Sequence, residues 1–378
     1  PSFYALLPTV GTFLIIISAV PETAVQRLLS NKAIVGLGLI SYSAYLWHQP
    51  LLSFARHWLG VTLDYSIALT ICFMSLVPAW LSWRYVEAPF RKKKNFGRKF
   101  IFLSAACGCI FFASFGYYVS QANGFLNGYS KEYQKIYSKF FDSGSYVKAR
   151  AKSIGLATFN KNNKKIDLMI IGDSHSQDLI NAIYEAGLDE SYEISSFVIP
   201  VKCGVLFVDE KADREWPGFP CKNWRDFDEK FFAELSRADE VWIASSWKPL
   251  DAKYMDESLA NISSFHNKVT VFGKKGFGKI TAGIYRNNDI EAWQFDYRQE
   301  HEKLRDEMLN SQIEHFVSSN GMRFINTQNL LCPTDQQCAN YQFGDIVSYD
   351  GSHLTPFGAR LLGNRLKTLL ASESLKTN

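Results

Sequence analysis

Ile166-Asp167-Leu168-Met169-Ile170-Ile171-Gly172-Asp173-Ser174-His175 is a short apolar run closed by a glycine and three polar residues. The run is too short for a stable helix and rich in isoleucine, so it reads as a buried strand. Helical spacing follows over residues 176–187. Ser174 therefore falls on a strand-to-helix turn, where backbone N–H groups converge on a developing anion. Outward from this point, further apolar runs occupy 192–199, 240–244, 268–272 and 322–326. Helical patterns separate them at 224–237, 251–265 and 296–319, with a final one at 355–371. Repeated strand-then-helix units with nearly continuous apolar strands predict an α/β domain, a parallel sheet covered by helices on both faces.

In such a sheet, ligands bind beyond the carboxyl ends of the strands. Ser174 is brought there by the first strand. Asp350-Gly-Ser-His353 is brought to the same edge by the loop that enters the last helix. A seryl oxygen is a poor nucleophile until a base takes its proton, and an imidazole held by a carboxylate is the usual base. Ser174, His353 and Asp350 are thus the candidate catalytic residues. Each motif also has a plainer reading: Gly-Asp-Ser is a common turn or helix N-cap, and Asp-x-x-His can be a surface loop. Asp173, His175 and Trp247 are candidates for the substrate pocket; the alternative for Trp247 is the core.

Charge is unevenly placed along the 378 residues. Residues 1–120 hold ten Lys/Arg against Glu22, Asp64 and Glu87, a net +7, and the remainder is −3. No basic stripe with interleaved aromatics follows, so nucleic-acid binding is not expected. Four apolar segments, about 3–20, 34–55, 65–83 and 100–119, approach the ~20 residues that a bilayer-crossing helix needs. The basic loops 21–33 and 84–99 are expected on the cytoplasmic side, which sends everything after about Gln121 out of the cytoplasm. The chain starts at Pro1 without Met, and is expected to be a fragment or a processed product with no signal peptide. Residues 1–120 form the expected membrane part, 121–165 a linker or packing extension, and 166–378 the exported domain.

His48 is the one ionisable group deep in an expected span, which makes it a functional candidate or, equally, a neutral histidine bonded to a neighbouring helix. Cys72, Cys107 and Cys109 fall in apolar spans and read as small buried hydrophobes. Cys203, Cys221, Cys332 and Cys338 form an even set in the exported part. They pair most simply as Cys203–Cys221 and Cys332–Cys338, although four cysteines allow three connectivities. A zinc site lacks the tight Cys-x-x-Cys spacing or histidine pair it would need.

Residues 166–371 resemble the SGNH (GDSL-like) hydrolase superfamily, with Gly172-Asp173-Ser174 as the first block and Asp350-x-x-His353 as the last. Residues 1–119 resemble the end of the acyltransferase-3 membrane family, through Ile40-Ser-Tyr-Ser-Ala-Tyr-Leu-Trp-His48 and Trp83-Arg-Tyr-Val-Glu-Ala-Pro-Phe-Arg91. The fusion resembles bacterial O-acetyltransferases that decorate surface polysaccharides such as lipopolysaccharide O-antigen. The resemblance implies an inner-membrane protein with a periplasmic domain. It implies acetyl-CoA as donor to the intact membrane domain, and a polysaccharide or lipid-linked glycan as acceptor, with no bound cofactor or metal. An exported carbohydrate esterase and a non-catalytic glycan-binding domain are the rival classes. The early acyltransferase-3 helices are not in this sequence, so acyl passage across a membrane is not expected of it unaided. The superfamily's Gly-x-Asn-Asp block is replaced by Ile243-Ala-Ser-Ser-Trp-Lys248, which removes the usual side-chain donor to the oxyanion. The backbone N–H groups of Ser174 and Gly204 are then the expected oxyanion hole.

Overall fold

The computed structural model describes residues 3–59, 64–91, 96–160, 164–204, 207–208, 228–286, 293, 296, 298–333 and 338–377. The chain divides into two compact units, Pro1–Leu126 and Asn127–Asn378.

The second unit is built on five strands: β1 (Ile166–Gly172), β2 (Tyr192–Val198), β3 (Glu240–Ala244), β4 (Val269–Phe272) and β5 (Arg323–Ile325). They pair in the order β2-β1-β3-β4-β5, all parallel. Eight helices belong to this unit among the described residues used here: α1 (Lys131–Ile154), α2 (Ser174–Glu185), α3 (Glu229–Arg237), α4 (Pro249–Lys253), α5 (Met255–Ser263), α6 (Glu300–Ser319), α7 (Thr327–Leu331) and α8 (Pro356–Thr377). A short antiparallel pair, β6 (Tyr341–Gln342) and β7 (Asp345–Ile346), precedes the last helix.

The strands are mainly apolar because both faces are covered; Asp167, Glu193, Glu240 and Arg323 lie at or near their starts. Side chains alternate along β1, and the core divides accordingly. Met169 and Ile171 join Val241, Ile243 and Val271 against Phe231 of α3, Leu259 of α5 and Ile313 of α6. Leu168 and Ile170 join Trp242 and Phe272 against Leu179 and Ile183 of α2, Leu366 of α8 and Ala151 of α1. The expected α/β sheet with helices on both faces is what the chain forms.

Segment 121–165 holds the 24-residue helix α1. Its N-terminus is capped by Ser130, whose hydroxyl accepts from Tyr133 N–H at 3.2 Å. Tyr133, Ile136, Ser143, Val147 and Ala151 form its buried face. Asn181 of α2 donates to its Tyr146 and Val147 carbonyls.

Cys332 and Cys338 are disulfide-bonded. Cys203 is buried and also disulfide-bonded; Cys221, its expected partner, lies outside the described residues. No cluster of three or more metal-ligating side chains occurs among the described residues.

The first unit is helical, and its described residues support two of the four expected spans. Among the described residues, two helical stretches are long and apolar enough to cross a membrane, Tyr65–Arg91 and Arg98–Gln121. Leu6–Ser18 has only 13 residues, short of the ~20 required. Lys32–Leu59 has the length at 28 residues, but Ser41, Tyr42, Ser43, His48 and Gln49 inside the expected span dilute its apolar character. The apolar stretch of Arg98–Gln121 has no buried residue, and Phe102, Phe111 and Phe112 are all exposed. A core helix of a soluble protein would not leave such a surface uncovered.

Candidate active site

β1 lies between β2 and β3, so the chain turns in opposite directions from its carboxyl end. A crevice opens at that point in open α/β sheets, and the first residues past β1 are Asp173 and Ser174. Asp173 is the N-cap of α2, accepting the His175 N–H at 2.9 Å. Its other oxygen accepts the Ser245 hydroxyl and the Ser246 N–H, each at 2.9 Å. One carboxylate therefore fixes the ends of β1 and β3 to each other. Ser174 is the first residue of α2 and half-buried, with its N–H among the donors a helix start leaves unpaired.

His353 meets it from the far end of the domain. Nε2 of His353 lies 2.7 Å from Ser174 Oγ, and Nδ1 lies 2.7 Å from Asp350 Oδ2. Asp350 Oδ1 accepts the Ser352 and His353 N–H groups at 2.9 and 2.7 Å. Burial works against ionisation of Asp350. The His353 side chain, its backbone N–H, its charge and the Ser352 N–H outweigh this and hold the carboxyl below the usual range. An ionised Asp350 fixes the proton on Nδ1 and leaves Nε2 free to accept the Ser174 proton. The side chains of His353 and Asp350 keep 24% and 38% of their exposure, so a substrate can reach them. The ring of Tyr349 stacks on His353 with centroids 6.0 Å apart. Burial first, then the Asp350 and Asp178 charges, push the Tyr349 phenol up to about 12. A cavity of about 240 Å³ opens beside the pair, lined by Ser246, Lys274, Lys279, Arg298, Glu302 and Ser352 among others.

A family model described as an SGNH domain fused to AT3 domains matches residues 142–368. The chain belongs to this family. The match starts inside α1 and ends inside α8, so it takes in the whole sheet and both halves of the Ser174–His353–Asp350 constellation. O-acetyltransferase OatA of Staphylococcus aureus (strain NCTC 8325 / PS 47) is 35% identical over 83 residues, 21% of this chain and 14% of that protein. The S. aureus relatives are matched over only 14–15% of their own length. Among solved structures, the periplasmic domain of a Salmonella ser. Paratyphi A lipopolysaccharide acetyltransferase is similar at 19% identity and a TM-score of 0.47, covering 62% of this chain and 99% of that one. The acetylxylan esterase Axe2 of Geobacillus stearothermophilus is similar at 8% identity and a TM-score of 0.34, covering 55% of this chain and 95% of that one.

Three residues expected at the pocket of the SGNH domain are buried. Trp247 is 1% exposed and its indole N–H donates to the Phe272 carbonyl at 2.7 Å, joining the ends of β3 and β4. Asp173 is buried, with its oxygens engaged inside the protein. His175 is buried as well, with Nε2 3.0 Å from Ser352 Oγ. These three are core and scaffold residues, because the strand and helix ends that carry them pack inward. Gly204 is buried and has φ of 63°, a left-handed value that suits glycine. Its loop follows β2, whose pairing to β1 is extended by Ile199 N–H donating to Gly172 O at 2.7 Å. His48 has Nδ1 2.8 Å from the Tyr45 carbonyl of its own helix, and among the described residues it has no bond to a neighbouring one.

Sequence reading missed Tyr349, Asp178 and Lys275. A lysine pair, Lys274-Lys275, just past the carboxyl end of β4 was the available signal for the last.

Burial, with help from the Lys275, His353 and Lys274 charges, holds the His175 imidazole well below its usual value. The folded state therefore binds this proton less tightly than the unfolded chain. Stability is full above the unfolded value near ~6.5 and falls as pH drops below it, by about 1.4 kcal/mol per pH unit for one proton. Amide exchange of β1 and β3 between pH 7 and 5 is expected to show this slope, and His175→Gln to remove that share of it. Identical slopes in the two proteins would refute the assignment.

Proposed function

We propose that this chain is part of a membrane-bound bacterial O-acetyltransferase, which carries an acetyl group on Ser174 and passes it to a sugar hydroxyl of a surface polysaccharide, lipopolysaccharide O-antigen being the best-fitting class. The observation that carries the reading is the unbroken line Ser174 Oγ–His353 Nε2, His353 Nδ1–Asp350 Oδ2, each 2.7 Å. Family membership and the acetyltransferase names of the relatives support acetyl as the group. The uncovered apolar helices support a membrane anchor, with the first unit as the late helices of an acyltransferase-3 domain in the inner membrane and the SGNH domain in the periplasm.

His353 would take the Ser174 proton as the oxygen attacks the acetyl carbonyl, and Asp350 would stabilise the imidazolium. The N–H groups of Ser174 and Gly204 would receive the oxyanion. Collapse passes that proton from His353 to the departing donor group, and leaves a seryl ester with a neutral His353. The acceptor hydroxyl then gives its proton to His353, attacks the ester, and leaves O-acetylated while Ser174 regains its proton. Acetyl-CoA is the donor proposed for the intact membrane domain, and no residue of this chain is assigned to it.

The test is to treat the full chain with 4-nitrophenyl acetate, quench in acid, and map the acetylated peptide by mass. Acetyl on Ser174, transferred to added glycan faster than to water, supports the reading. Acetyl on another residue ends it, and transfer to water alone makes the chain an esterase.

A further inference from the structure

We propose that the buried Lys275–Asp178 ion pair is a positioning device that sets the His353 imidazole against Ser174 by gripping the backbone on both sides of it; this rests on the seryl-ester reading above. Lys275 follows β4, and Asp178 lies on α2 one turn after Ser174, on the same helix face. Lys275 Nζ is 2.7 Å from Asp178 Oδ2, and the two side chains keep only 2% and 1% of their exposure. Each has a second partner in the histidine loop. Lys275 also donates to the carbonyl of Ser352, the residue before His353. Asp178 Oδ1 accepts the N–H of Leu354, the residue after it, at 3.1 Å.

Asp350 Oδ1 accepts the Ser352 and His353 N–H groups within the loop itself, and two further bonds that tie it to its surroundings are neutral. Phe277 N–H donates to Gly351 O at 2.7 Å, and the Ser348 hydroxyl donates to His353 O at 2.6 Å. The charged pair stands out because it is an expensive way to hold a loop for stability alone. Desolvating two ions offsets most of their attraction, and apolar replacements of similar volume are often neutral or stabilising. What apolar residues cannot reproduce is two directed bonds, one to each flank of His353, from groups anchored on the nucleophile's own helix and just past β4. A catalytic histidine on a loop needs such an anchor, since a displacement of about 1 Å at a reacting pair can cost on the order of 100-fold in rate.

The test uses the full chain, with 4-nitrophenyl acetate as substrate and a fluorophosphonate to read Ser174 reactivity. The double variant Lys275→Met/Asp178→Leu is expected to keep the amide protection of β1 and β3. Its kcat should fall on the order of 100-fold, with KM unchanged and Ser174 phosphonylation slowed in parallel. Lys275→Arg, which keeps the charge and the donors, should recover most of the loss. Asp178→Asn keeps the acceptor for Leu354 and removes the charge, so it serves if the double variant does not fold, and its kcat should also fall. Parent kcat in a folded double variant or in Asp178→Asn overturns the proposal, as does a Lys275→Arg protein as slow as the double variant. Ser174→Ala run alongside separates the two readings. If it is inactive while the folded double variant works, only the positioning role fails; if it retains parent activity, the nucleophile assignment fails and the positioning role with it.

Discussion

Ser174→Ala is expected to lower kcat for acetyl transfer on the order of 10⁶-fold, His353→Ala by nearly the same factor, and the double variant by no more than either. On the proposed mechanism the three groups act as one device. Without Oγ there is no atom to carry the acetyl, and without Nε2 the Ser174 proton at 2.7 Å has no acceptor, so each loss removes the same covalent path. A factor of 10⁶ corresponds to about 8 kcal/mol of barrier, more than oxyanion donors or substrate binding alone supply. Asp350→Asn should cost less, about 10⁴-fold. It preserves the shape but can donate to Nδ1, which favours the tautomer that turns a proton toward Ser174. The checks are acetyl content of the cell-surface glycan and turnover of 4-nitrophenyl acetate. Losses that multiply in the double variant would mean that Ser174 and His353 serve separate steps, and would refute the shared path.

The features legible in the sequence were those with a local signature. β1 to β4 were readable because burial on both faces makes each an apolar run, and Leu168-Met169-Ile170-Ile171 supplies both core clusters from four consecutive residues. Ser174 and the Asp350–His353 pair were readable because each sits in a short motif where a strand or loop feeds a helix. α1 gave a weaker signal. Its buried positions, 133, 136, 143, 147 and 151, have helical spacing, but Tyr, Ser and Ala fill three of them and blur the apolar stripe. Side-chain direction was less legible still. Trp247 and Asp173 are next to the site in sequence, yet what decides their place is a carbonyl on β4 and a serine pair after β3. Lys275 and Asp178 are 97 residues apart, and nothing local announces that pairing. In the first unit, hydropathy suggested a span at 3–20, but Pro21 follows the short helix Leu6–Ser18 closely and a turn takes over at 21–22.

Gly172→Ala is expected to be among the more damaging single-methyl additions in the domain. A Cβ at position 172 would lie 1.9 Å from the Ala244 carbonyl oxygen and 2.7 Å from Ser176 Cβ. The first of these is backbone of the paired strand β3, where Gly172 is in register with Ala244, so no rotamer change relieves the clash. The ends of β1 and β3 must separate by more than an ångström, at the place where Asp173 holds Ser245 and Ser246. Separation costs those bonds as well as the packing, so the loss should exceed the ~1–3 kcal/mol usual for overpacking a core. It should also move Ser174, two residues on, away from His353. Gly321→Ala is the appropriate control: that glycine has φ of 70° with nothing within 4 Å of the added carbon, so only the left-handed backbone penalty of about 1–2 kcal/mol applies. Amide protection of β1 should fall much further in Gly172→Ala than in Gly321→Ala, with activity lost only in the former. Equal protection in the two proteins would show that the strand ends are not as tightly joined as the crevice argument requires.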